Sequence, residues 1–375
     1  MKAQHSDWTQ SPGDIVLRWI MVMALSGCGM TTSWAQIRAD GSAGAAQTLS
    51  GPAFVIPQSL GTVAGSNLFH SFSSFNLTQG QSATFTTSSA LNHVIARVTG
   101  GDVSSIDGLV RLTAVSGSQP GFWLINPAGV VFGANSRIQV PGAFHVSTAD
   151  YIRLGDDRFY ADARSGSTFS SAAPQAFGFL GGNSGVISLD GANLSNGRNN
   201  LTLAASEIEL QAANLSTSSG DIRLAAVGST PMEVPITGDA LTGLTGAIVM
   251  GQESGVTTES TALASGGAIY IMAGRLVMNE ASLVTSRTVN STATGTVQVT
   301  LSNALLMSGA SQIGTSTEAE GAAGDVTVRV SGPVELREGS AISSMTYDAG
   351  PSGRVVVDAY SLLADGTGSE AGYTG

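Results

Sequence analysis

The sequence predicts an all-β chain wound as a solenoid of stacked coils. The first observation is composition. Of 375 residues, 48 are glycine, 11% are charged and 6% are aromatic, and small polar residues separate short Val/Ile/Leu runs. This is the make-up of many short strands joined by turns, and no helical heptad interrupts it. The second observation is a repeat. Gly267-Ala-Ile-Tyr-Ile271, Gly295-Thr-Val-Gln-Val299, Gly324-Asp-Val-Thr-Val328 and Gly353-Arg-Val-Val-Val357 open alike, with glycines 28, 29 and 29 residues apart. The third is that two further features keep the same step. They are Leu276-Val-Met278, Leu305-Leu-Met307, Val334-Glu-Leu336 and Leu362-Leu-Ala364, then Ala281-Ser-Leu-Val284, Ala310-Ser-Gln-Ile313 and Ser340-Ala-Ile342.

Three short alternating strands per period cannot bury their faces alone, but stacked coils can. Val297, Val326 and Val355 should then lie one above another at about 4.8 Å per step, paired in parallel. The glycine before each strand reads as a turn residue, and the Ser/Thr-rich links read as loops on one side. An antiparallel sandwich with evenly spaced strands is the competing arrangement. Three features holding one step favour the solenoid. Gly185-Val-Ile-Ser-Leu189, Asn200-Leu-Thr-Leu203, Glu207-Ile-Glu-Leu210 and Gly220-Asp-Ile-Arg-Leu224 alternate in the same way, so coils should begin well before residue 267.

The length suits two domains or one elongated one. Net charge is −11 and Lys2 is the only lysine. An acidic chain without basic clusters is a poor partner for nucleic acid and has no electrostatic attraction to anionic lipid. At the N-terminus, residues 15–25 form a largely apolar stretch too short to span a bilayer, and Ser33-Trp34-Ala35 offers a small-x-small cleavage site before Gln36. This reads as a signal peptide. Leu25-Ser26-Gly27-Cys28 also fits a lipoprotein signal, which would anchor the chain by a lipid on Cys28. That cysteine is the only one. Cleavage after Ala35 would leave a mature chain with no disulfide and no transmembrane segment, stabilised by burial and backbone pairing alone.

Residues 124–133, LINPAGVVFG, set a specific turn between two apolar runs. Asn126 can bond to the turn backbone, Pro127 presets φ near −65°, and Gly129 suits the last position. Ala128 fits a type I turn and would be costly in type II. The expectation is a type I turn on the solenoid surface, flanked by buried Leu124 or Ile125 and by Val131.

The stretch FWLINPAGVVFGANSRIQVPGAFHVSTADYI, residues 122–152, resembles the N-terminal secretion domain of filamentous haemagglutinin-like exoproteins, the passengers of two-partner secretion. The family hallmark is Asn-Pro-Asn-Gly-Ile/Val followed by Phe-Gly, with a strand ending near Ser-Thr-Ala-Asp. Here Asn126, Pro127, Gly129, Val130, Phe132 and Gly133 match it, as do Ser147-Thr148-Ala149-Asp150. Residues 93–108, HVIARVTGGDVSSIDG, and AQIRADGSAG from Ala35 also look like family segments. Ala128 stands where the family has a second Asn, and a second Asn-Pro signature is absent.

The resemblance implies a right-handed single-stranded parallel β-helix, pectin-lyase-like, with additional antiparallel strands near its N-terminal end. It implies export through the periplasm of a Gram-negative-type bacterium. There an outer-membrane transporter with periplasmic recognition domains would read Asn126, Pro127, Ala128, Gly129 and Val130. It further implies an adhesin or haemagglutinin role towards a host-surface or glycan receptor. The organisation expected is a signal peptide over 1–35, a secretion domain over 36–155, irregular coils over 156–266 and repeats over 267–375. The last coil is expected to be incomplete, since its third strand would fall near residue 371. Residues from about 353 onward are accordingly expected to be the least ordered.

A carbohydrate-active β-helix enzyme, and a remnant of a larger exoprotein, are the alternatives. Glu207 and Glu209 are two apart on a strand, about 7 Å, within reach of an inverting glycosidase pair. The plainer reading is a solvated face with Ile208 and Leu210 turned to the core. His70, His93 and His145 lack metal-ligand spacing, and His145 reads as structural. No catalytic residue, cofactor or metal is expected.

Overall fold

Alternation along the chain becomes an inside and an outside. The computed structural model describes residues 37–162, 166–182, 184–238 and 241–367. The proposed signal segment, Cys28 and the strand expected near residue 371 lie outside the described residues. Among the described residues there is no α-helix, and Gln58–Leu60 forms a single short 3-10 turn. Strands stack coil upon coil into three parallel faces, a parallel β-helix.

One face runs from Asn67–Phe75 through His93–Val98, Gly121–Ile125, Phe144–Ser147, Leu201–Ala205 and Ile222–Ala226 into the first halves of Ile269–Met278, Val297–Met307, Val326–Arg337 and Val355–Asp365. A second runs from Ser104–Ile106 through Val130–Phe132, Val186–Asp190, Glu207–Gln211 and Ala247–Gly251 into the later halves of the same long strands. The third is formed by Ala53–Pro57, Ser82–Thr86, Leu109–Thr113 and Arg137–Gln139. It continues from Asn193–Ser195 to Ala341–Thr346. The repeat read from the sequence is therefore one coil. Val297, Val326 and Val355 pair in register, and so do Leu276, Leu305, Val334 and Leu362.

A continuous inner ladder shows how the fold is specified. Leu68, Val94, Phe122, Phe144, Leu201, Ile222, Ile269, Val297 and Val326 occupy one register position, and all are fully buried. Each such side chain contributes roughly 1.5–3 kcal/mol by leaving water. A one-residue slip would turn the whole set outward. The next rung, Val355, is 39% exposed and Leu362 is 59% exposed. Their backbone is nonetheless paired along Val355–Asp365 with Val326–Arg337.

Two sets of strands lie outside the helix. Ile37–Ala39 pairs antiparallel with Gln47–Thr48 and with Asn67–Phe75, at the first coil. A four-stranded antiparallel flap, Asp157–Tyr160, Tyr151–Leu154, Pro174–Phe179 and Met232–Pro235, packs through its own apolar cluster onto the outer side of the first face. Phe69, Ile95, Trp123 and Ile125 from that face meet Ile152, Phe159, Phe177 and Val234 from the flap.

The structure corrects two details of the repeat. Gly267, Gly295, Gly324 and Gly353 all lack a positive φ. They are glycine because of close approach: a Cβ on Gly295 would overlap the carbonyl of Gly267, and Gly267, Gly324 and Gly353 meet the coil before them in the same way. The Ser/Thr-rich links are loops only in their later part; their opening residues belong to the strands Leu283–Thr288, Gln312–Thr317 and Ala341–Thr346. Thr258, Ser286, Thr315 and Ser344 pair in register on the third face. Thr258 Oγ1 donates to the Gly267 carbonyl at 2.6 Å, and Thr315 Oγ1 to that of Gly324 at 2.6 Å. Hydroxyls pointing inward are satisfied on the glycine corners, so a polar tract can line the core.

Gly295→Ala should therefore destabilise by about 1–3 kcal/mol through overpacking of backbone on backbone. A shift of the urea midpoint to lower concentration checks this. An unchanged midpoint would show that the corner can widen.

Candidate secretion-signal turn

Asn126 sits where a strand of the first face ends and the chain turns a corner. Its side chain is 0% exposed. Its Oδ1 accepts the Ala128 N–H at 3.0 Å, and its Nδ2 donates to the Asp102 carbonyl at 2.9 Å and to Ser104 Oγ at 3.0 Å. The turn closes with Gly129 N–H donating to the Asn126 carbonyl at 3.0 Å. Ala128 does not have a positive φ, which agrees with a type I turn and excludes type II. Gly129 does, at +125°, and a Cβ there would crowd the Val186 carbonyl at 3.0 Å. Pro127 lies against Gly185 of the following coil so closely that a side chain on Gly185 would overlap its carbonyl.

Leu124 and Ile125 are buried as expected, but Val131 is only half-buried. Val130 and Phe132 point into the core instead. The alternation places every second residue inward, and Val130 is the one in register with Ser104 and Ile187. Ile125 is buried for a different reason, since it faces the flap.

The Ser147-Thr148-Ala149-Asp150 segment ties the turn to its surroundings. Ser147 Oγ donates to the Ala204 carbonyl at 2.7 Å, and Thr148 Oγ1 to that of Gly185 at 3.0 Å. Asp150 accepts the Leu180 N–H at 2.7 Å, at the flap. Between turn and flap lies a cleft of about 160 Å3, lined by Thr99, Pro127, Ala128, Asp150 and Asp162 among others. Asn126 is hidden, while Pro127 and Ala128 remain partly exposed at this cleft.

Sequence reasoning missed Arg97, which joins this corner to the N-terminal strands. The side chain is 2% exposed. Its Nε donates to Ser71 Oγ at 2.7 Å and its Nη2 to Ser42 Oγ at 2.8 Å; its Nη1 reaches the Tyr160 and Asp162 carbonyls. Ser71 and Ser42 pass the contact on to Asp40 at 2.6 and 2.7 Å. Burial works to raise the Asp40 carboxyl, but hydrogen bonds from Ser71, Ser42 and Thr99 outweigh it and hold it below the usual range. Burial pulls Arg97 down, opposed by Asp40 and Asp162. The guanidinium also lies 4.6 Å over the Phe159 ring of the flap. In an alternating stretch such as HVIARV, one arginine looks like an outward solvated position; the flap is what buries it.

His70, His93 and His145 pack against aromatic rings. Trp123 stacks on His145 at 3.9 Å between centroids and meets His93 edge-on at 6.1 Å. Burial pushes His145 down to about 3, aided by His93. It lowers His93 too, and drives His70 down to about 4 despite the Leu60 backbone beside it. Among the described residues no group of three or more His, Cys, Asp or Glu could hold a metal ion. Glu207 is exposed, and Ile208 and Leu210 are fully buried. The Glu209 carboxyl is raised by burial and then by Glu207. Register places Val186 and Ser188 beside the pair in the preceding coil and Val249 beside Glu209 in the next.

Two outcomes follow from this geometry. Asn126→Ala takes the partner from the buried Ser104 hydroxyl and from the Asp102 carbonyl and Ala128 N–H, so it should cost roughly 2–4 kcal/mol. Thermal unfolding of the purified chain measures this, and a loss below about 0.5 kcal/mol, within the range of ordinary surface changes, would contradict it. The histidines set a pH dependence. Their folded pKa values lie below 6.5, so the unfolded chain binds more protons at acid pH. Stability is complete above pH 6.5 and falls as pH drops towards 4, by up to about 1.4 kcal/mol per pH unit per histidine. His145→Phe should flatten that slope by one proton, and an unaltered slope would remove His145 from it.

The sequence matches the family model of the TPS secretion domain over residues 35–276. Among solved structures, the chain is 13% identical to the HMW1 secretion domain from Haemophilus influenzae, with a TM-score of 0.39, 84% of this chain covered and 96% of that one. It is 16% identical to the filamentous hemagglutinin secretion domain, with a TM-score of 0.34, 88% of this chain covered and 99% of that one. No curated protein sequence matches. Since the family match takes in more than half of the residues and contains the whole of the turn, the chain belongs to the TPS secretion domain family, that of two-partner secretion exoproteins.

Proposed function

We propose that this exoprotein is read in the periplasm by the recognition domains of a dedicated outer-membrane transporter. Residues 126–130 would supply the feature that is read. The supporting observation is the division of labour within the turn. Asn126 is wholly buried and fixes the corner, whereas Pro127 and Ala128 stay partly exposed beside the cleft. On this reading Asn126, Gly129 and Val130 shape the signal, and Pro127 and Ala128 present it.

We divide the chain into a signal peptide over 1–35, a secretion domain over 36–155, irregular coils over 156–266 and repeats over 267–375. After export the protein acts at the cell surface as an adhesin or haemagglutinin on a host-surface or glycan receptor, without catalysis. A lipid on Cys28 is the alternative mode of surface attachment. No helix among the described residues is long and apolar enough to cross a membrane.

Co-expression with the cognate transporter tests the turn. Asn126→Leu and Ala128→Arg should both abolish release into the medium and leave the chain in the periplasm. Ala128→Arg is the sharper variant, because it adds bulk at the half-exposed position without removing any bond made by Asn126. Release at the parental level from both variants would remove the turn from recognition.

A further inference from the structure

The outer side of the first face changes character along its length. Phe69, Ile95, Trp123, His145, Thr202, Arg223 and Tyr270 occupy one outward register position. The apolar members lie under the flap. The flap's last strand ends at Pro235, and Ile236, Thr237 and Gly238 then border a second cleft, of about 90 Å3. Its other walls are Asn200, Thr202, Asp221, Arg223 and Tyr270.

Arg223 is the unusual group. Its side chain is only 6% exposed. Among the described residues its one ordinary hydrogen bond runs from Nη2 to the Gly238 carbonyl at 2.8 Å, and Nη1 has the Met272 sulfur at 3.8 Å. The guanidinium lies 4.6 Å over the Tyr270 ring. No carboxylate among the described residues comes within ion-pair reach of it. Asp221 lines the same cleft and opposes the charge of Arg223 from beyond ion-pair reach, while its Oδ1 accepts the Ala268 N–H at 2.8 Å. A guanidinium has five N–H donors in a planar fork suited to a carboxylate, and burying one without a carboxylate is costly.

We propose that this cleft binds the carboxylate of an acidic sugar, with Arg223 as its counter-charge. Stacking on Tyr270 fixes the plane of the guanidinium and leaves its edge for a two-point contact. A volume of about 90 Å3 is far below the roughly 300–1,000 Å3 that encloses a whole small molecule. Only the acid group enters, and the sugar ring stays at the rim. There Asn200 and Thr237 are exposed and offer an amide NH2, its oxygen being held by the Asp221 N–H, and a hydroxyl, groups that pair with sugar hydroxyls. An acidic peptide side chain would bring a methylene stem to this polar rim instead. The inference gives the proposed receptor role a chemical class and rests on no part of the transporter reading. Failed binding would leave export untouched, and failed export would leave binding measurable on the periplasmic chain.

Calorimetric titration of the purified chain with glucuronate, N-acetylneuraminate, glucose and N-acetylaspartate tests it. Saturable binding of at least one acidic sugar is expected, with glucose and N-acetylaspartate at least about tenfold weaker, the equivalent of one charge-assisted contact. Arg223→Met should lose the binding. Because that variant also gives up the Gly238 contact, two others keep the test independent of folding. Asp221→Asn removes a repelling charge and should tighten binding severalfold, and Thr237→Trp should block the rim. No saturable binding of either acidic sugar, equal binding of N-acetylaspartate, or weaker binding in Asp221→Asn would each overturn the proposal.

Discussion

Parallel strands about 4.8 Å apart leave no slack between one coil and the next. At the corners the backbones come closer still. Gly267 lies on the Gly220 carbonyl, Gly295 on that of Gly267, Gly324 on that of Gly295 and Gly353 on that of Gly324. A side chain at any of these positions would push two coils apart and unpair the strands on both sides of the corner. The rest of the solenoid follows from this contact. The inner ladder can be continuous because every coil closes at the same point. The inward hydroxyls of Thr258 and Thr315 can lie in the core because the glycine carbonyls are fixed within reach. The scarcity of charge follows too. A position repeated in every coil at this spacing would place like charges directly beside one another, which destabilises a sheet.

The flap answers a different problem. A β-helix face has an outer side, and at the first coils that side is apolar. Phe69, Ile95, Trp123 and Ile125 would be in water without the strands at 151–160, 174–179 and 232–235. Arg97 belongs to this arrangement. Its contacts reach the Tyr160 and Asp162 carbonyls in the flap on one side and, through Ser42 and Ser71, Asp40 beside the N-terminal strand on the other. One buried cation therefore ties three separate parts of the chain to the coil that precedes the turn.

The sequence shows what is periodic and hides what is not. A 28–29 residue step shared by three features is enough to place Val297, Val326 and Val355 in one ladder, because stacking leaves little choice of register. The turn is legible for a similar reason: Asn126, Pro127 and Gly129 each carry a local backbone preference. The flap has no period, and its strands find partners up to 60 residues away with antiparallel registers that no spacing encodes. Arg97 and the burial of Ile125 depend on that flap and are hidden with it. The Ser/Thr tracts mislead because polar composition reads as loop, whereas the hydroxyls here are satisfied inside. The choice of Val130 over Val131 for the core is set by a register with Ser104 and Ile187 that lies beyond the turn.

Two buried arginines on the same face show how differently a cation can be accommodated. Arg97 holds five hydrogen bonds, all between 2.7 and 3.0 Å, and its charge is answered by Asp40 through two hydroxyls. Among the described residues Arg223 has one carbonyl, one distant sulfur and an aromatic ring, with Asp221 as an opposing charge beyond ion-pair reach. Burial lowers both guanidinium groups, so desolvation does not distinguish them. The flap does. Over Arg97 it supplies two carbonyls and the Ser167 hydroxyl; at Arg223 its last strand has ended, and among the described residues that follow it the Gly238 carbonyl alone accepts from the guanidinium. Arg97 is thereby a completed internal bond, with no donor needed elsewhere. Among the described residues Arg223 keeps donors unused, beside a cleft where the outer face turns from apolar to polar. A residue that served only to pin the Gly238 carbonyl would need a single donor, and an uncharged amide supplies that at a smaller desolvation cost. The positive charge of Arg223 serves the Tyr270 ring and is opposed by Asp221 in the same cleft, and the donors these contacts leave over are the ones the proposed carboxylate would use.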